Sequence, residues 1–462
     1  MVFSSTIFLF GFLPIFFILY YIRPNNYTLL LFSLLFYAWG EPVYVLLMIF
    51  STILDYSCGR IVEKYRNTYK AKIGLSVSIL INLGMLCLFK YSGLLVETFN
   101  SIFSTSVSAP ELPLPIGISF YTFQTMSYTI DVYRGDVKAQ KNIFTFGAYV
   151  SLFPQLIAGP IVRYETIEKQ LNHRTLNIDK VTDGLERFII GFIKKIIFAN
   201  TMAQLADTIL KNSEYTFFVT WLGAVAFMLQ IYYDFSGYSD MAIGLGKMLG
   251  FDFNENFDYP YSSKSITEFW RKWHISLSSW FRDYVYIPLG GNRKGEKRQL
   301  FNMLVVWALT GIWHGASWNF LLWGLYYFVL LALEKFVFKN ALEKIPKFLK
   351  WILTALLVLF GWVIFYCDDL TVLNDTVQSL FSFSCKSDDI NVIKMYLESY
   401  AMYIIPALIF QFPVFRKVRS SIFNAKNNAV KVFYYAGLLA VGFIAVCFLV
   451  KSTYNPFIYF RF

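Results

Sequence analysis

The side chain best suited to proton transfer is a histidine within an apolar, tryptophan-rich stretch. His314 lies in residues 307–323, WALTGIWHGASWNFLLW, and the whole chain of 462 residues has three histidines. An ionisable side chain at membrane depth is costly, so such residues usually have a function. An imidazole can accept or donate a proton near neutral pH. We therefore predict that His314 handles protons; the alternative is a histidine that hydrogen-bonds at a helix end and only fixes packing.

A second histidine, His274, lies in an aromatic and basic stretch. Apolar side chains recur there at steps of three and four residues, namely Trp270, Trp273, Leu277, Trp280 and Tyr284. That spacing predicts one continuous amphipathic helix at the membrane interface. We give one name, the basic rim, to the cations of this stretch and of the glycine-rich turn that follows it: Arg271, Lys272, Arg282, Arg293 and Lys294.

The composition indicates a membrane protein. Hydrophobic residues make up 56 % and charged residues 15 % of the chain, against roughly 25 % charged residues in a soluble domain. Apolar runs recur along the sequence and predict roughly ten to twelve membrane-embedded segments, some of them incomplete. Residues 3–22 are interpreted as a first span, because a basic start and a small-residue cleavage site are lacking. Without an internal repeat or linker, a single domain over residues 1–462 is predicted.

The charge pattern indicates orientation rather than a nucleic-acid partner. The net charge of +11 arises from Lys and Arg in loops, as the positive-inside rule requires. The same rule places the C-terminus on the outer side. The five cysteines are scattered without metal-ligand spacing, so no metal site is predicted. The acids in or beside the apolar segments are expected to pair with arginines of the basic rim: Asp234, Asp240 and Asp283.

Some apolar segments are interrupted or too short to cross a bilayer. Residues 112–133 and 144–162 contain proline and glycine, which membrane helices tolerate only where they are buried in protein or line a wet cavity. Residues 300–313 and 318–333 form a predicted hairpin, in which each arm is short of the ~20 residues needed to cross. His314 then lies at membrane depth, near the tip of one arm.

Several sequence blocks occur together in one known family. They are PIGISFYTFQ (115–124), FPQLIAGPIVR (153–163), DFSGYSDMA (234–242), FWRKWHISLS (269–278), WFRDY (280–284), YIPLGGNR (286–293), GIWHGA (311–316) and FIYFRF (457–462). On these blocks the chain closely resembles the membrane-bound O-acyltransferases (MBOAT). The branch is that of bacterial exopolysaccharide and cell-wall O-acetylation, typified by the membrane subunit of alginate O-acetyltransferases. The likeness covers essentially the whole chain and is densest over residues 112–333.

The resemblance implies an all-α polytopic membrane protein whose helices and re-entrant segments surround a central tunnel. It implies an O-acetyltransferase of the bacterial inner membrane that takes acetyl from a cytoplasmic thioester, acetyl-CoA or an acyl-carrier thioester. The acetyl would cross the membrane for O-acetylation of an extracytoplasmic polysaccharide, an alginate-like exopolysaccharide or peptidoglycan, by a partner transferase of the SGNH type. Two alternatives stay open: D-alanyl transfer to teichoic acid, and a transporter of polysaccharide or lipid, since broken helices also suit transporters.

The resemblance also implies roles for individual residues. His314 matches the catalytic histidine of the family, and His274 matches a second, supporting histidine; the alternative for His274 is an imidazole that reaches the interface. Tyr459 would carry the acetyl group as a phenyl ester, or would anchor the tail in an aromatic belt. The basic rim would hold the phosphates of coenzyme A or an acidic carrier protein; the alternative is positive-inside charge that contacts lipid headgroups.

Overall fold

The fold is helical throughout the part of the chain that the structure describes. This computed structural model describes residues 1–110, 112–211, 216–367, 369–383, 389–424, 428–452 and 454–458, and no strand occurs in those ranges. Eight helices there are long and apolar enough to cross a membrane: Val45–Lys64, Tyr69–Phe103, Ile178–Leu210, Phe217–Met248, Trp318–Val337, Lys347–Tyr366, Asp389–Phe410 and Asn428–Lys451. The predicted all-α architecture with several membrane spans is confirmed. The first apolar helix, Phe8–Ile22, is shorter than the predicted span over residues 3–22.

The helices group into two compact units, of which the first comprises Met1–Phe188 and Met241–Asn254. Its helices are α1 (Leu13–Ile22), α2 (Asn26–Gly40), α3 (Val45–Lys64), α4 (Tyr69–Leu86), α5 (Ser92–Phe103), α6 (Ile118–Arg134), α7 (Ile143–Ser151), α8 (Phe153–Leu156), α9 (Tyr164–Asn172) and the start of α10 (Ile178–Ile193). Both predicted interruptions are present. Gly117 takes a left-handed conformation before α6, and a Cβ atom there would lie 2.8 Å from the carbonyl oxygen of Leu156.

A buried carboxylate joins three helices of this first unit. Asp55 of α3 accepts hydrogen bonds from Ser78 and Asn82 of α4, the latter at 2.7 Å, and from Thr129 of α6 at 3.3 Å. Ser51 in turn donates to the Asn82 side chain at 2.9 Å. Because lipid offers no hydrogen bonds, polar side chains of membrane helices bond to one another and hold the helices together.

The second unit comprises Ile189–Asp240 and Glu255–Phe462. Its helices after α10 are α11 (Asn200–Leu210), α12 (Phe217–Met248), α13 (Ile266–Lys272), α14 (Ile275–Phe281), α15 (Glu296–His314), α16 (Trp318–Ala332), α17 (Lys339–Lys344), α18 (Lys347–Tyr366), α19 (Leu370–Phe381), α20 (Asp389–Phe410), α21 (Val414–Asn424) and α22 (Asn428–Lys451). Helices α10 and α12 contribute residues to both units. The single domain predicted over residues 1–462 stays a prediction.

The predicted hairpin of α15 and α16 is present, but its arms are longer than predicted. Helix α15 has 19 residues, and the second arm continues to Val337, so that Trp318–Val337 is long and apolar enough to cross a membrane. Glycines allow the two arms to touch. A Cβ atom on Gly311 would lie 3.3 Å from the Cα of Gly324 and would overlap the carbonyl oxygen of Phe320. A Cβ atom on Gly324 would overlap the carbonyl oxygen of Trp307. Small residues at such crossings let backbones approach closely, which is how helices in lipid gain their packing energy.

We expect Gly324→Ala to destabilise the protein, because the added methyl group must push α16 away from α15. Overpacking of this kind costs roughly 1–3 kcal/mol, and it should lower the midpoint of thermal unfolding in detergent. Gly437→Ala in α22 is the matched control, since a Cβ atom there meets nothing within 4 Å and alanine is the better helix former. Equal midpoints for the two variants would contradict the close crossing.

Candidate functional site

His314 is the last residue of α15 and lies in a cage of aromatic rings. The chain turns through Gly315, which has an extended conformation, and α16 begins at Trp318. The His314 side chain is buried, with the residue only 6 % exposed. Its ring centroid lies 5.0 Å from that of Trp313, 5.0 Å from that of Trp323 and 5.3 Å from that of Phe365, all nearly perpendicular. The imidazole is thus held in one place, in surroundings that exclude bulk water.

Phe320 closes the turn beside this cage. Its ring packs against Phe365 at 5.0 Å between centroids, and it occupies the space where Gly315 would carry a Cβ atom. A side chain at position 315 would therefore displace Phe320. The GIWHGA block needs its second glycine because an aromatic ring takes that volume.

His274 breaks the aromatic stretch into two helices. The prediction of one continuous amphipathic helix is wrong: α13 ends at Lys272, α14 begins at Ile275, and His274 between them has φ +45° and ψ +54°. A left-handed conformation is unfavourable for a residue with a Cβ atom, by about 1–3 kcal/mol. The surroundings must compensate for this strain.

Asn256 supplies that compensation. Its carbonyl oxygen accepts a hydrogen bond from the Ile275 amide at 3.0 Å. Its side-chain oxygen accepts from the Ser276 amide at 3.1 Å and from the Ser276 hydroxyl at 2.9 Å. Asn256 is itself buried. It orients the backbone just after His274, and the sequence analysis did not identify it.

The helix before His274 is attached to the hairpin that carries His314. The Glu334 carboxylate accepts hydrogen bonds from the first amides of α13, at 2.7 Å from Ile266 and 3.2 Å from Thr267. A carboxylate at a helix N-terminus is favourable both as a cap and as a charge against the helix dipole. Trp270 of α13 packs against Trp307 of α15 at 4.7 Å between ring centroids. Both contacts hold α13 against α15 and the end of α16.

Trp313 contacts both histidines. Its ring centroid is 6.1 Å from that of His274 and 5.0 Å from that of His314. His274 is 2 % exposed, and its ring also faces Phe257 at 6.2 Å and Phe235 at 6.5 Å. The two histidines therefore belong to one aromatic cluster.

Burial keeps His274 uncharged. Desolvation lowers its pKa from 6.5 to about 3, and a hydrogen bond with its own backbone opposes this shift only in part. A neutral imidazole can accept a hydrogen bond on one nitrogen and donate a hydrogen bond from the other. His274 can therefore orient a polar group by hydrogen bonding, without placing a fixed charge in the cluster.

Two cations of the basic rim form ion pairs with neighbouring acids, and the others do not within the described residues. Lys272 pairs with Glu268 at 2.7 Å, and Arg282 forms two hydrogen bonds to the carboxylate of Asp283, at 2.6 and 3.0 Å. Arg271, Arg293 and Lys294 are exposed and make no ion pair within the described residues. These three cations are therefore the members of the rim that no acidic side chain neutralises there.

The acids of the apolar segments pair differently from the expectation. Asp283 does pair with an arginine of the rim. Asp234 and Asp240 instead pair with Lys195 and Lys194, each at 2.6 Å. The expectation for these two acids was wrong because their lysine partners lie on a different helix. The spacing of residues in the sequence does not show which helices pack together.

The C-terminal tail enters the same aromatic region. The Phe457 ring stacks on Tyr238 at 4.9 Å and faces Phe235, which in turn faces His274, at 6.5 Å in each case. Tyr459, the predicted acyl carrier, lies outside the described residues. Within the described ranges, no group of three or more His, Cys, Asp and Glu side chains could hold a metal ion.

Comparisons with known proteins agree with the blocks of the sequence. A model of the membrane-bound O-acyltransferase family matches residues 137–375. The chain is 46 % identical over 391 residues to the probable alginate O-acetylase AlgI of Pseudomonas aeruginosa, which covers 83 % of this chain and 75 % of the relative. It is 33 % identical over 411 residues to the peptidoglycan O-acetyltransferase of Helicobacter pylori, covering 80 % and 78 %. The teichoic acid D-alanyltransferase of Bacillus subtilis is 28 % identical over 276 residues, covering 54 % and 67 %.

We expect the stability of the protein to depend on pH through His274. Because the folded pKa is about 3 and the ordinary value is 6.5, the unfolded chain binds a proton that the folded chain does not. The stabilisation is complete above pH 6.5 and declines as the pH falls towards 3, by up to ~1.4 kcal/mol per pH unit. Unfolding midpoints between pH 7 and pH 5 should thus fall less for His274→Gln than for the wild type. The exposed His173 is the control: His173→Gln should follow the wild type, and parallel curves for all three would contradict the prediction.

Proposed function

Because the chain belongs to the membrane-bound O-acyltransferase family, we propose that it transfers an acetyl group from a cytoplasmic thioester donor through the membrane to an extracytoplasmic acceptor. The chain is a multi-pass membrane O-acyltransferase; the acetyl group, the donor and the direction are the proposal. The single observation that carries it is the buried His314 imidazole at the tip of the hairpin of α15 and α16.

The acetyl group is favoured over D-alanine by the extent of similarity. The two relatives named as O-acetylating enzymes match about four fifths of this chain, at 46 % and 33 % identity. The D-alanyltransferase matches about half of it. The polymer is proposed to be an alginate-like exopolysaccharide or peptidoglycan, which are the acceptors that the relatives' names indicate. The membrane would be the bacterial inner membrane, with the C-terminus outside.

The proposed reaction needs one base and one thioester. His314 takes the proton of the acceptor hydroxyl as that oxygen attacks the thioester carbonyl. The new C–O ester bond forms, the C–S bond breaks, and the proton passes from the imidazolium to the departing thiolate. His274 is proposed to hydrogen-bond to a reacting oxygen from the same aromatic cluster. The dry surroundings strengthen such hydrogen bonds.

Acetyl-CoA is the proposed donor, and the free cations of the basic rim are its proposed contact. Arg271 and Arg293 have no acidic partner among the described residues, so they remain available for phosphate groups. A guanidinium group matches phosphate oxygens bidentately, which makes arginine well suited to this role. An acidic carrier protein would be bound by the same charges.

Tyr459 is the proposed acceptor on this chain. Its phenol oxygen would take the acetyl group as an ester, with loss of the thiol, and would pass it to a separate extracytoplasmic transferase of the SGNH type. A phenolate, with an ordinary pKa near 10, is a good leaving group, so the ester stays activated for the second transfer. The tail segment that precedes Tyr459 reaches Phe235, a neighbour of His274, which supports this role.

Replacing His314 with alanine should abolish polymer acetylation. Loss of a general base reduces a rate by roughly 10²–10⁴-fold, which would leave little ester-linked acetate on the polysaccharide of cells that carry the variant. The amount of protein extracted from the membrane should be unchanged. His173→Ala, at an exposed position, is the matched control and should leave acetylation intact. Wild-type acetylation in His314→Ala would end the mechanism.

After incubation with acetyl-CoA, the C-terminal peptide of the purified wild type should gain one acetyl group on Tyr459, detected by mass spectrometry. Tyr459→Phe should lose this label. Tyr454→Phe is the matched control, because the Tyr454 hydroxyl donates to Asp207 at 2.9 Å and is not the proposed acceptor. A D-alanyl mass from a carrier donor would identify the alternative chemistry. A transporter would consume no thioester at all.

A further inference from the structure

Two helices of the second unit approach so closely that an ion pair forms between them. A Cβ atom on Gly237 of α12 would lie 2.8 Å from the carbonyl oxygen of Gly191 of α10 and 3.0 Å from the amide nitrogen of Lys195. Lys195 lies in a π-helical turn, Lys194–Ala199, between α10 and α11. Its ammonium group meets the Asp234 carboxylate at 2.6 Å, and the two side chains are 2 % and 1 % exposed.

A pair buried this deeply is not explained by helix association alone. Removing two charges from water costs several kcal/mol per ion, and well-packed apolar residues often stabilise a protein as much or more. The adjacent pair, Lys194 and Asp240, already joins the same segments at 2.6 Å. The role of the inner pair, Lys195 and Asp234, therefore depends on the other contacts that its charged atoms make.

Both members of the inner pair bind the backbone of the C-terminal tail. The Lys195 ammonium group donates a hydrogen bond to the carbonyl oxygen of Pro456. The other carboxylate oxygen of Asp234 accepts from the amide of Ile458 at 2.8 Å. The Lys195 cation thus binds the carbonyl group of Pro456, and the Asp234 anion binds the amide of Ile458, two residues further along the chain. Backbone groups inside a membrane protein must be satisfied in this way, because lipid provides no partner.

The tail side chains fill the space around this pair. Phe457 is buried against Tyr238 and lies 5.5 Å from the Lys195 ammonium group, and Ile458 is buried as well. Before them, Asn455 accepts a hydrogen bond from Asn200 of α11 at 3.0 Å. The tail residues from Asn455 to Ile458 therefore lie in a groove of this unit that binds both their backbone and their side chains.

We propose that Lys195 and Asp234 form a main-chain receptor that docks the C-terminal tail and sets its position beside the aromatic cluster of His274. The receptor binds the backbone of the tail through one hydrogen-bond donor and one hydrogen-bond acceptor. The groove accommodates apolar and aromatic side chains of the tail. Lys195 and Asp234 are positioning residues, since they act on the reaction through the tail. That the tail carries an acetyl group rests on the proposed function, whereas the docking of the tail does not.

The test is hydrogen exchange of the tail in the full-length protein in detergent, followed by mass spectrometry of the C-terminal peptide. In Lys195→Met/Asp234→Leu an apolar pair replaces the ions, so the fold is expected to persist while both backbone bonds are lost. Each charge-assisted bond contributes roughly 1.5–3 kcal/mol. The Ile458 amide should therefore exchange roughly tenfold to a hundredfold faster than in the wild type.

Lys194→Met is the matched control, because Lys194 is the adjacent residue and its ion partner is Asp240. It should keep the slow exchange of the wild type. Unchanged exchange in the double variant, or equally fast exchange in Lys194→Met, would overturn the receptor. A retained unfolding midpoint in the double variant verifies that a folded protein is being compared.

Acetyl transfer to Tyr459 provides a second readout that a purely structural role would not change. The double variant should lose the acetyl label of the C-terminal peptide while its unfolding midpoint is kept. A fully labelled tail that exchanges fast would overturn the positioning role. If the wild type itself carries no label, the relay of the proposed function fails, and the exchange experiment still decides whether the receptor exists.

Discussion

The backbone contact between α15 and α16 at Gly311 and Gly324 is the constraint on which the site depends. Lipid is as apolar as the helix surfaces, so helices inside a membrane associate through close packing and hydrogen bonds. The glycines allow α15 to end within the protein, with His314 at its tip. The same hairpin presents Trp307 and Glu334 to α13, which places His274 in the aromatic cluster.

Several buried polar groups of the protein are satisfied by other protein groups. Asn256 offsets the left-handed backbone of His274 through three hydrogen bonds. Lys195 and Asp234 bind each other and the tail. In the first unit, Asp55 is surrounded by hydroxyl and amide donors. In a medium without water, a polar side chain is retained only where protein groups satisfy it or where chemistry needs it.

The secondary structure of the site was partly predictable. The hairpin turn and the interruptions near Gly117 and Pro154 follow from local composition, and they are present. The arms of the hairpin are longer than predicted. The helical face through Trp270 and Trp280 was also recognised, but as one continuous helix. Spacing alone cannot reveal a left-handed residue such as His274, because the three-and-four rhythm continues across the break. The three hydrogen bonds that Asn256 accepts just after His274 stabilise the chain at that break.

The sequence by itself determined the membrane character and the position of the hairpin turn, since these depend on the length and polarity of contiguous segments. Tertiary structure alone decided the partners. Asp234 was expected to pair with an arginine of the basic rim, yet it meets Lys195 and the amide of Ile458, 224 residues further along the chain. Such pairings depend on which helices approach closely, and that is set by the packing of glycines such as Gly237 rather than by any pattern of neighbouring residues.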